Sequence, residues 1–413
     1  MKVSFHTLGC KVNFAETSTL AREFAAAGWD RAGGRNADGE DDGGSIPEAD
    51  VYVVNTCSVT AAADKKCRNL IARLHRRSPS ARIVVTGCYA QLAPERLAAI
   101  PGVHLVVGND AKGDLLRRLE GEVAGHCNFY PAWSAGDRTR SFLKVQDGCD
   151  YKCAYCTIHY ARGESRNIPI AEVVSQAREI AARGVKEVVV TGVNTGDFGR
   201  TTGESFLDLL RALDGVEGVE RYRISSIEPN LLTDEIIAFC AASRAFQPHF
   251  HIPLQSGCDR ILGLMRRRYT TARFAERVVR IREKMPDAFI GIDVIVGFPG
   301  ETEDDFEATR TFLERVRPSQ LHVFPYSVRP GTPAATMPGR VPPRVAAERA
   351  AALGTLSEEL LAEFTARFRG TTAEVLWEGE QKGGVMSGFT GNYLRVTAPH
   401  DPALVNTITR AVL

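Results

Sequence analysis

Short apolar runs alternate with helical segments in two blocks of this chain, and this alternation restricts the fold more than any other feature. In the first block, four runs are typical of buried strands: Lys2–His6, Val51–Asn55, Arg82–Thr86 and His104–Val107. Helical segments separate them at Ala15–Ala27, Ala61–Arg77 and Gln91–Ala99. Strands that alternate with helices form parallel sheets covered by helices on both faces. We therefore expect residues 1–128 to form a doubly wound α/β domain.

A longer alternation occupies residues 129–370, after a linker predicted at Asn128–Gly136. Its six strands are predicted at Phe142–Gln146, Glu187–Thr191, Tyr222–Ile227, His249–Leu254, Phe289–Val296 and Gln320–Tyr326. Its helices are predicted at Ala171–Arg183, Phe206–Leu213, Thr233–Ala242, Arg260–Arg267, Thr271–Lys284, Thr302–Val316 and Val345–Arg369. Six βα units fit a partial parallel barrel, short of the usual eight, with its chemistry in the loops after the strands.

The last residues, 371–413, change to short strands at Ala373–Trp377 and Tyr393–Thr397 with glycine-rich turns, which predicts a small β module. The segment Asp30–Asp50 is rich in glycine and acidic residues and is expected to be a surface loop. The whole chain has 51 basic and 50 acidic residues, but this loop alone has seven acidic against two basic. The remainder is therefore moderately basic, which is compatible with a nucleic-acid partner.

No run approaches the roughly 18 apolar residues of a membrane span, and the first ten residues lack a signal-peptide core. We therefore expect a cytoplasmic protein without a membrane partner. The chain has 10 cysteines. In a reducing compartment such cysteines are expected to be ligands or redox groups rather than disulfides.

Three cysteines follow the first predicted barrel strand with the spacing C-x3-C-x2-C: Cys149, Cys153 and Cys156. Three thiolates on one loop can hold three irons of a cubane cluster and leave the fourth iron open. A zinc site would need a fourth ligand, for which His159 is the local candidate.

Cys10, Cys57 and Cys88 each follow a predicted strand of the first domain. Because the carboxyl ends of parallel strands share one edge of the sheet, these thiols are candidates for a second open-sided cluster; three ordinary buried cysteines remain the alternative. The other four show no such pattern, and structural roles are expected for them: Cys67, Cys127, Cys240 and Cys258.

The cysteine loop, with Tyr155 before its last cysteine, resembles the signature of the radical S-adenosylmethionine (SAM) superfamily. Further segments resemble the radical SAM methylthiotransferases and occur in that family's order. They are TLGCKVNFAE (7–16), VNTCSVT (54–60), VTGCYAQ (85–91), CTIHYARGESR (156–166), SSIEP (225–229), HFHIPLQSG (249–257), DVIVGFPGETEDDF (293–306) and HVFPYSVRPGTPAA (322–335). The opening, SSIEP and HVFPYS most resemble the branch that acts on N6-threonylcarbamoyladenosine in tRNA, and the terminal module resembles a TRAM domain.

This resemblance implies an α/β fold with a radical SAM barrel, two [4Fe-4S] clusters and SAM as cofactors. It implies methylthio transfer to C2 of N6-threonylcarbamoyladenosine, at position 37 in the anticodon loop of tRNA. Cys149, Cys153 and Cys156 would hold the SAM-cleaving cluster, and the Cys10, Cys57 and Cys88 cluster would carry the sulfur. An electron donor such as a flavodoxin or ferredoxin and an unidentified sulfur donor would be partners.

Three alternatives stay open. The substrate of the transferase can be isopentenyladenosine in tRNA or an aspartate of a ribosomal protein. The chain can also be a noncatalytic iron–sulfur or zinc protein that binds RNA.

Candidate SAM contacts are polar or small residues near the predicted barrel mouth: Tyr155, Gly192, Ser226, Glu228 and Gln255. Candidate RNA contacts are basic side chains in two runs, with a neighbouring tyrosine: Lys65, Lys66, Arg68, Arg73, Arg76, Arg77, Arg266, Arg267, Arg268 and Tyr269. Phe324 and Tyr326, at the end of the sixth barrel strand, are candidates for stacking on a base or for packing at the barrel end.

Overall fold

The structure is a computed structural model that describes residues 1–33, 46–122, 125, 129–136, 138–381 and 383–413. Most of the predicted acidic loop, part of the predicted linker and Cys127 lie outside the described residues. The architecture is α/β, as expected, and none of the described helices is long and apolar enough to cross a membrane.

The amino-terminal sheet is parallel throughout, with the strand order β2-β1-β3-β4-β5. Its strands are β1 (Lys2–Thr7), β2 (Asp30–Arg31), β3 (Val51–Thr56), β4 (Arg82–Gly87) and β5 (Val103–Val107). Its helices are α1 (Lys11–Ala26), α2 (Ala61–Arg77), α3 (Cys88–Leu92), α4 (Pro94–Ala98) and α5 (Leu115–Leu119). Val51 and Val53 pack with α1 and α5, whereas Tyr52 and Val54 pack with α2. The sheet is therefore buried on both faces, which explains its continuous apolar strands.

Two predicted helices of this domain have different bounds. α1 starts at Lys11 rather than Ala15, directly after Cys10, so the loop between β1 and α1 is only three residues long. The helix predicted at Gln91–Ala99 is split into α3 and α4. Pro94 disfavours helical geometry at the residue before it, and Ala93 accordingly has φ −145° and ψ 55°.

The central domain contains all six predicted barrel strands. Its strands are β6 (Ala132–Trp133), β7 (Arg140–Lys144), β8 (Gln146–Asp147), β9 (Arg166–Asn167), β10 (Glu187–Thr191), β11 (Arg221–Ile224), β12 (His249–Gln255), β13 (Phe289–Val296) and β14 (Gln320–Pro325). The parallel order β7-β10-β11 continues through bridges Tyr222–Phe246 and Ser226–His251 into β12-β13-β14. This arrangement is the expected partial barrel. β6 lies inside the segment predicted to be a linker, and it pairs antiparallel with β7.

The helices of the central domain surround this sheet. They are α6 (Ile158–Arg162), α7 (Ile170–Ala182), α8 (Phe206–Asp214), α9 (Asp234–Ala242), α10 (Asp259–Leu264), α11 (Thr271–Lys284), α12 (Glu303–Val316) and the long α13 (Pro343–Ala366). Several of these helices begin with a side chain that caps the first turn. Thr302 and Asp305, for example, form a capping box at α12, whose first turn is acidic.

The carboxyl-terminal module is an antiparallel sheet of four strands rather than the two predicted. They are β15 (Thr372–Gln381), β16 (Val385–Thr390), β17 (Arg395–Pro399) and β18 (Ile408–Val412), in the order β17-β16-β15-β18. The module packs against the end of the barrel where strands begin. Arg221 donates to the carbonyl of Phe389 (3.1 Å), and Arg223 donates to the carbonyl of Gly391 (2.7 Å).

Candidate cofactor and active site

The loop with Cys149, Cys153 and Cys156 is folded around its three sulfur atoms. The backbone N–H of Tyr151 donates to Cys149 Sγ (3.4 Å), and that of Ile158 donates to Cys156 Sγ (3.4 Å). Such N–H donors stabilise negative charge on sulfur. The three thiols also interact electrostatically with one another, and burial raises the pKa of Cys149 and of Cys156 to about 12. The loop therefore brings its three thiols close to one another.

Gly148 forms the turn that directs the chain into this loop. Its φ is +72°, and a Cβ at this position would lie 1.9 Å from the carbonyl oxygen of Glu164. The next residue, Cys149, donates from its N–H to the carbonyl of Gly163 (3.0 Å). Only glycine fits at position 148, because both the backbone conformation and the contact exclude a side chain.

The donor set fits an iron–sulfur cubane better than a single zinc ion. Within the described residues, no three His, Cys, Asp or Glu side chains converge closely enough to hold one ion. His159, the candidate fourth zinc ligand, has its Nδ1 2.9 Å from the carbonyl of Cys149. A cubane accepts one thiolate on each iron, so its ligands stand farther apart than those of zinc.

Cys10, Cys57 and Cys88 lie at the carboxyl ends of the neighbouring strands β1, β3 and β4. Burial raises the pKa of Cys57 to about 12, and the nearby thiols Cys10 and Cys88 add to this effect. A Cβ on Gly9 would lie 2.8 Å from Cys57 Cβ, so a glycine permits the close approach of the first two loops. The structure thus places the three thiols near one another at one edge of the sheet.

The cysteines without an assigned role occupy ordinary structural positions where they are described. Cys67 is fully buried on α2 and donates to the carbonyl of Cys57 (3.6 Å). Cys240 is buried on α9. Cys258 precedes α10 and donates to Asp305 Oδ1 (3.2 Å).

Two of the candidate SAM residues are joined to the cysteine loop by Arg267. The guanidinium of Arg267 forms an ion pair with Glu228, donates to Cys153 Sγ (3.0 Å) and lies 3.4 Å from the Tyr155 hydroxyl. Burial raises the pKa of Glu228, and Arg267 opposes that rise. Tyr155 also packs edge-on against Phe298, with ring centres 6.4 Å apart.

The other three candidate SAM residues have separate contacts. A Cβ on Gly192 would lie 3.0 Å from Gln146 Oε1, so this position is packed closely against a neighbouring strand. The carbonyl of Ser226 accepts from Thr195 Oγ1 (2.9 Å). Gln255 has φ +67° at an irregularity in β12. A non-glycine residue held in this conformation is strained, and such strain concentrates at functional sites.

Arg267 and Tyr269 were wrongly predicted as surface contacts for RNA. The Arg267 side chain is 3% exposed, and Tyr269 is also buried, with its hydroxyl donating to the carbonyl of Pro253 (2.6 Å). Arg266 has φ +59°, which ends α10 in a left-handed turn. The three consecutive arginines therefore face different directions, and Arg268 lies 4.0 Å over the ring of Tyr151 in the cysteine loop.

The remaining RNA candidates differ in exposure. On α2, Lys65, Lys66, Arg76 and Arg77 are exposed. Arg68 instead donates to the Tyr89 hydroxyl (2.8 Å), and Arg73 is partly buried. Phe324 is 48% exposed, whereas Tyr326 packs edge-on against Phe298.

A buried network of five charged side chains connects the two cysteine regions, and nothing in the sequence pattern had indicated it. Glu16 on α1 accepts from Lys112 (2.6 Å), Lys144 (2.8 Å) and Arg162 (3.0 Å). Asp147 pairs with Lys144 (2.6 Å) and Arg162 (2.9 Å). All five side chains are at most 4% exposed.

This network fixes α1 and α6, the helices that follow Cys10 and Cys156, relative to each other. Arg162 on α6 donates to Asn13 Oδ1 on α1 (2.6 Å). Asn109 donates to Cys88 Sγ (3.7 Å) and to the carbonyl of Ala161 on α6 (2.8 Å). Side-chain hydrogen bonds therefore connect Cys88 and α1 to α6, the helix that follows Cys156.

Comparisons with known proteins agree with this geometry. Residues 143–313 match the Radical SAM superfamily, and residues 2–108 match Uncharacterized protein family UPF0004. The chain is 40% identical over 430 residues to threonylcarbamoyladenosine tRNA methylthiotransferase MtaB of Bacillus subtilis (strain 168), covering 99% of this chain and 92% of that protein. It is 36% identical to tRNA-2-methylthio-N(6)-dimethylallyladenosine synthase of Bifidobacterium adolescentis, covering 91% and 80%.

A solved structure shares the fold at low sequence identity. It is the radical S-adenosylmethionine methyltransferase TsrM from Kitasatospora setae, with a TM-score of 0.58, 15% identity, and coverage of 81% of this chain and 77% of that chain. The identities and coverage of the sequence relatives decide the classification. The chain belongs to the radical SAM tRNA methylthiotransferase family.

Proposed function

We propose that this enzyme transfers a methylthio group to C2 of N6-threonylcarbamoyladenosine in the anticodon loop of tRNA. The observation that carries the proposal is the pair of three-cysteine sites, whose flanking helices α1 and α6 are joined by Arg162. One radical-generating site alone would suffice for SAM cleavage, and a second site nearby is what sulfur delivery requires. A tRNA substrate places the enzyme in the cytoplasm.

The two cysteine sets have separate assignments in this proposal. Cys149, Cys153 and Cys156 would hold the [4Fe-4S] cluster that works with SAM, and Cys10, Cys57 and Cys88 would hold a second one. Such a cluster, once reduced with SAM bound, supplies a carbon radical able to remove hydrogen from an aromatic carbon, which no side-chain base achieves near neutral pH. A flavodoxin or ferredoxin would deliver the electron.

The chain's own side chains hold and shield the reactants. Tyr151 and Ile158 donate N–H groups to the loop sulfurs, and Arg267 holds Glu228 beside Cys153. Tyr155 and Glu228 would contact the SAM molecule there, with Gly192, Ser226 and Gln255 lining the rest of its site. Exposed Lys65, Lys66, Arg76 and Arg77 on α2 offer contacts to tRNA phosphates. In this scheme residues 1–128, 129–370 and 371–413 are the methylthiotransferase, radical SAM and TRAM-like domains.

The test is incubation of the iron-reconstituted protein with SAM, a strong reductant and tRNA that contains N6-threonylcarbamoyladenosine. Mass analysis of the nucleosides should show the gain of one methylthio group in place of hydrogen. Parallel incubations with tRNA bearing dimethylallyladenosine and with ribosomes test the alternatives. Product on ribosomal protein alone would refute the proposal, and absence of 5′-deoxyadenosine in every incubation would indicate a noncatalytic protein.

Cysteine variants test the two-cluster assignment. Cys149→Ser and Cys10→Ser should each lose half of the bound iron. Cys258→Ser is the matched control, because this thiol contacts Asp305 rather than either cysteine set. Full iron retention by Cys10→Ser would contradict the second cluster.

A further inference from the structure

A small cavity beside Cys10 is lined by residues of the amino-terminal domain and of the barrel strands. Its volume is about 220 Å³. Cys10 and Lys11 border it from the start of α1, Arg223 and His249 border it from the barrel strands, and Tyr393 of the carboxyl-terminal module also contributes to its wall. The cavity is therefore formed by all three parts of the chain.

The charged side chains that line this cavity are all basic: Lys11, Arg138, Arg140 and Arg223. Two of them form ion pairs with glutamates. Arg223 pairs with Glu187 (2.8 Å), and Arg140 pairs with Glu378 (3.1 Å). Neither glutamate lines the cavity. The charged groups on the wall itself are therefore all cationic.

Lys11 is the cation that needs a partner. No carboxylate of the described chain forms an ion pair with it. Its side chain is exposed and lines the cavity. Asp293 is near enough to interact with it electrostatically but is itself held by His251 (2.8 Å). A cation on the wall of a cavity with no carboxylate bound to it favours an anionic ligand.

Two further features favour an anion over an apolar group. Lys11 is the first residue of α1, a helix of 16 residues whose N-cap, Cys10, makes no side-chain cap, so the positive end of the helix faces the same region. His249 lines the cavity with a buried Nδ1 that has no hydrogen-bond partner among the described atoms. An apolar occupant would leave these groups unpaired, and sites of this kind reject ligands that cannot pair with them.

The size of the cavity restricts the occupant further. Pockets for whole drug-sized ligands measure about 300–1,000 Å³, so this one suits a group about as large as an amino acid. N6-threonylcarbamoyladenosine carries such a group on its six-membered ring: a threonine in urea linkage, with a free carboxylate. The reacting carbon belongs to the same ring, so this substituent must lie near the sulfur-carrying site, of which Cys10 is part.

We propose that this cavity binds the threonyl carboxylate of the substrate nucleoside and that Lys11 is its ionic partner. The inference rests on the proposed function, because it takes the substrate from there. Lys11 thereby becomes a specificity-determining residue. It favours the anionic threonylcarbamoyl group over the apolar dimethylallyl group, which offers no charge to pair with the ammonium.

The test measures binding of the holoenzyme to three anticodon stem-loops that differ only in the modified adenosine. One carries threonylcarbamoyladenosine, the second carries its carboxyl methyl ester, and the third carries dimethylallyladenosine. The first should bind about 10- to 100-fold more tightly than the other two, as expected for hydrogen bonds to a charged group. Equal affinity for the acid and its ester in the wild-type enzyme would overturn the proposal without the use of any variant.

Lys11→Met should abolish the difference between acid and ester while binding of the ester is unchanged, and Lys11→Arg should restore part of it. Lys65→Met on α2 is the control, since loss of a phosphate contact would weaken all three RNAs equally. Iron content and the cluster spectrum confirm that the site at Cys10 is intact in each variant. A difference between acid and ester that persists in an iron-loaded Lys11→Met enzyme would refute the role of Lys11.

Binding preference tests the cavity assignment, and methylthiolation tests the proposed function, so the two can fail separately. Methylthiolation of the threonylcarbamoyl stem-loop without any preference for its carboxylate would refute the cavity assignment and leave the proposed function standing. Preference for the carboxylate without methylthiolation would support the cavity assignment and count against the proposed function.

Discussion

Replacing Glu16 by glutamine should open the junction between the amino-terminal domain and the barrel. Glu16 is the only carboxylate that contacts all three of Lys112, Lys144 and Arg162 in the described network. Glutamine keeps the shape but removes the charge, so Lys144 and Arg162 are left with Asp147 and Lys112 is left with no carboxylate partner. Removing one partner of a buried ion pair costs about 3–5 kcal/mol, because the remaining charges are left uncompensated.

The whole chain has several domains and is not expected to unfold in one step, so the assay must be local. Hydrogen exchange of the cluster-free protein, followed by mass spectrometry of peptides from α1 and β7, reports the opening of this junction. At about 1.4 kcal/mol per factor of ten, the expected cost predicts exchange about 100- to 4,000-fold faster in both peptides. Peptides from the carboxyl-terminal module should not change.

Glu220→Gln is the matched control. It removes an ion pair with Lys186 of similar length (2.7 Å), but these side chains are 48% and 35% exposed. Exposed pairs contribute about 0–1 kcal/mol, so exchange should rise less than about sixfold. If Glu16→Gln accelerates exchange no more than this control, the network does not hold the two domains together.

The same network predicts an acid dependence with a defined sign. Burial alone would raise the pKa of Glu16, but Arg162, Lys112 and Lys144 outweigh it and hold that pKa well below its usual range. A carboxylate whose pKa is lowered on folding adds stability above its unfolded pKa of about 4.3, and this stability is lost as the pH falls further. Glu16→Gln should therefore flatten the acid limb of stability below about pH 4.

Three further predictions concern single positions. Gly148→Ala should prevent iron loading at the neighbouring cysteine loop, because its Cβ meets backbone; Gly184→Ala, with φ +75° and open space, should load iron normally. Burial, with a contribution from Arg73, lowers the pKa of His6 to about 4. The thermal stability of the cluster-free protein should therefore decrease as the pH is lowered from about 6.5 to 4. His6→Phe should remove this pH dependence. Gln255→Gly should raise the free energy of unfolding by about 1 kcal/mol and weaken SAM binding. Arg317→Gly, also at a left-handed position, should stabilise the protein and leave SAM binding unchanged. Unchanged SAM affinity in Gln255→Gly would contradict a role for that side chain.

The repeating strand and helix pattern was predictable because it depends on local periodicity and on strands buried on both faces. The strands Glu187–Thr191 and Phe289–Val296 agree with the prediction residue for residue. The start of α1 was missed because Cys10, its N-cap, is not a residue that signals a helix start and makes no side-chain cap.

Some residues of the candidate site could likewise be predicted from the sequence, and others could not. The spacing of Cys149, Cys153 and Cys156 placed them on one loop, because the loop is short. The inward turn of Arg267 depends on a left-handed residue before it, and the partners of Glu16 come from three distant segments. Such pairings are tertiary, so no pattern within one segment reveals them.

The docking of the carboxyl-terminal module on the amino end of the barrel affects any experiment that shortens the chain. Arg140, Arg221 and Arg223 bond to this module from barrel strands, and Tyr393 packs on His249 with ring centres 4.5 Å apart. Without residues 371–413 these side chains would face bulk water, and the cavity beside Cys10 would lose the part of its wall that Tyr393 provides. A shortened enzyme would consume SAM in uncoupled turnover whatever its affinity for RNA. The ratio of deoxyadenosine to methylthiolated product, rather than product alone, distinguishes entry of water into the site from loss of an RNA contact.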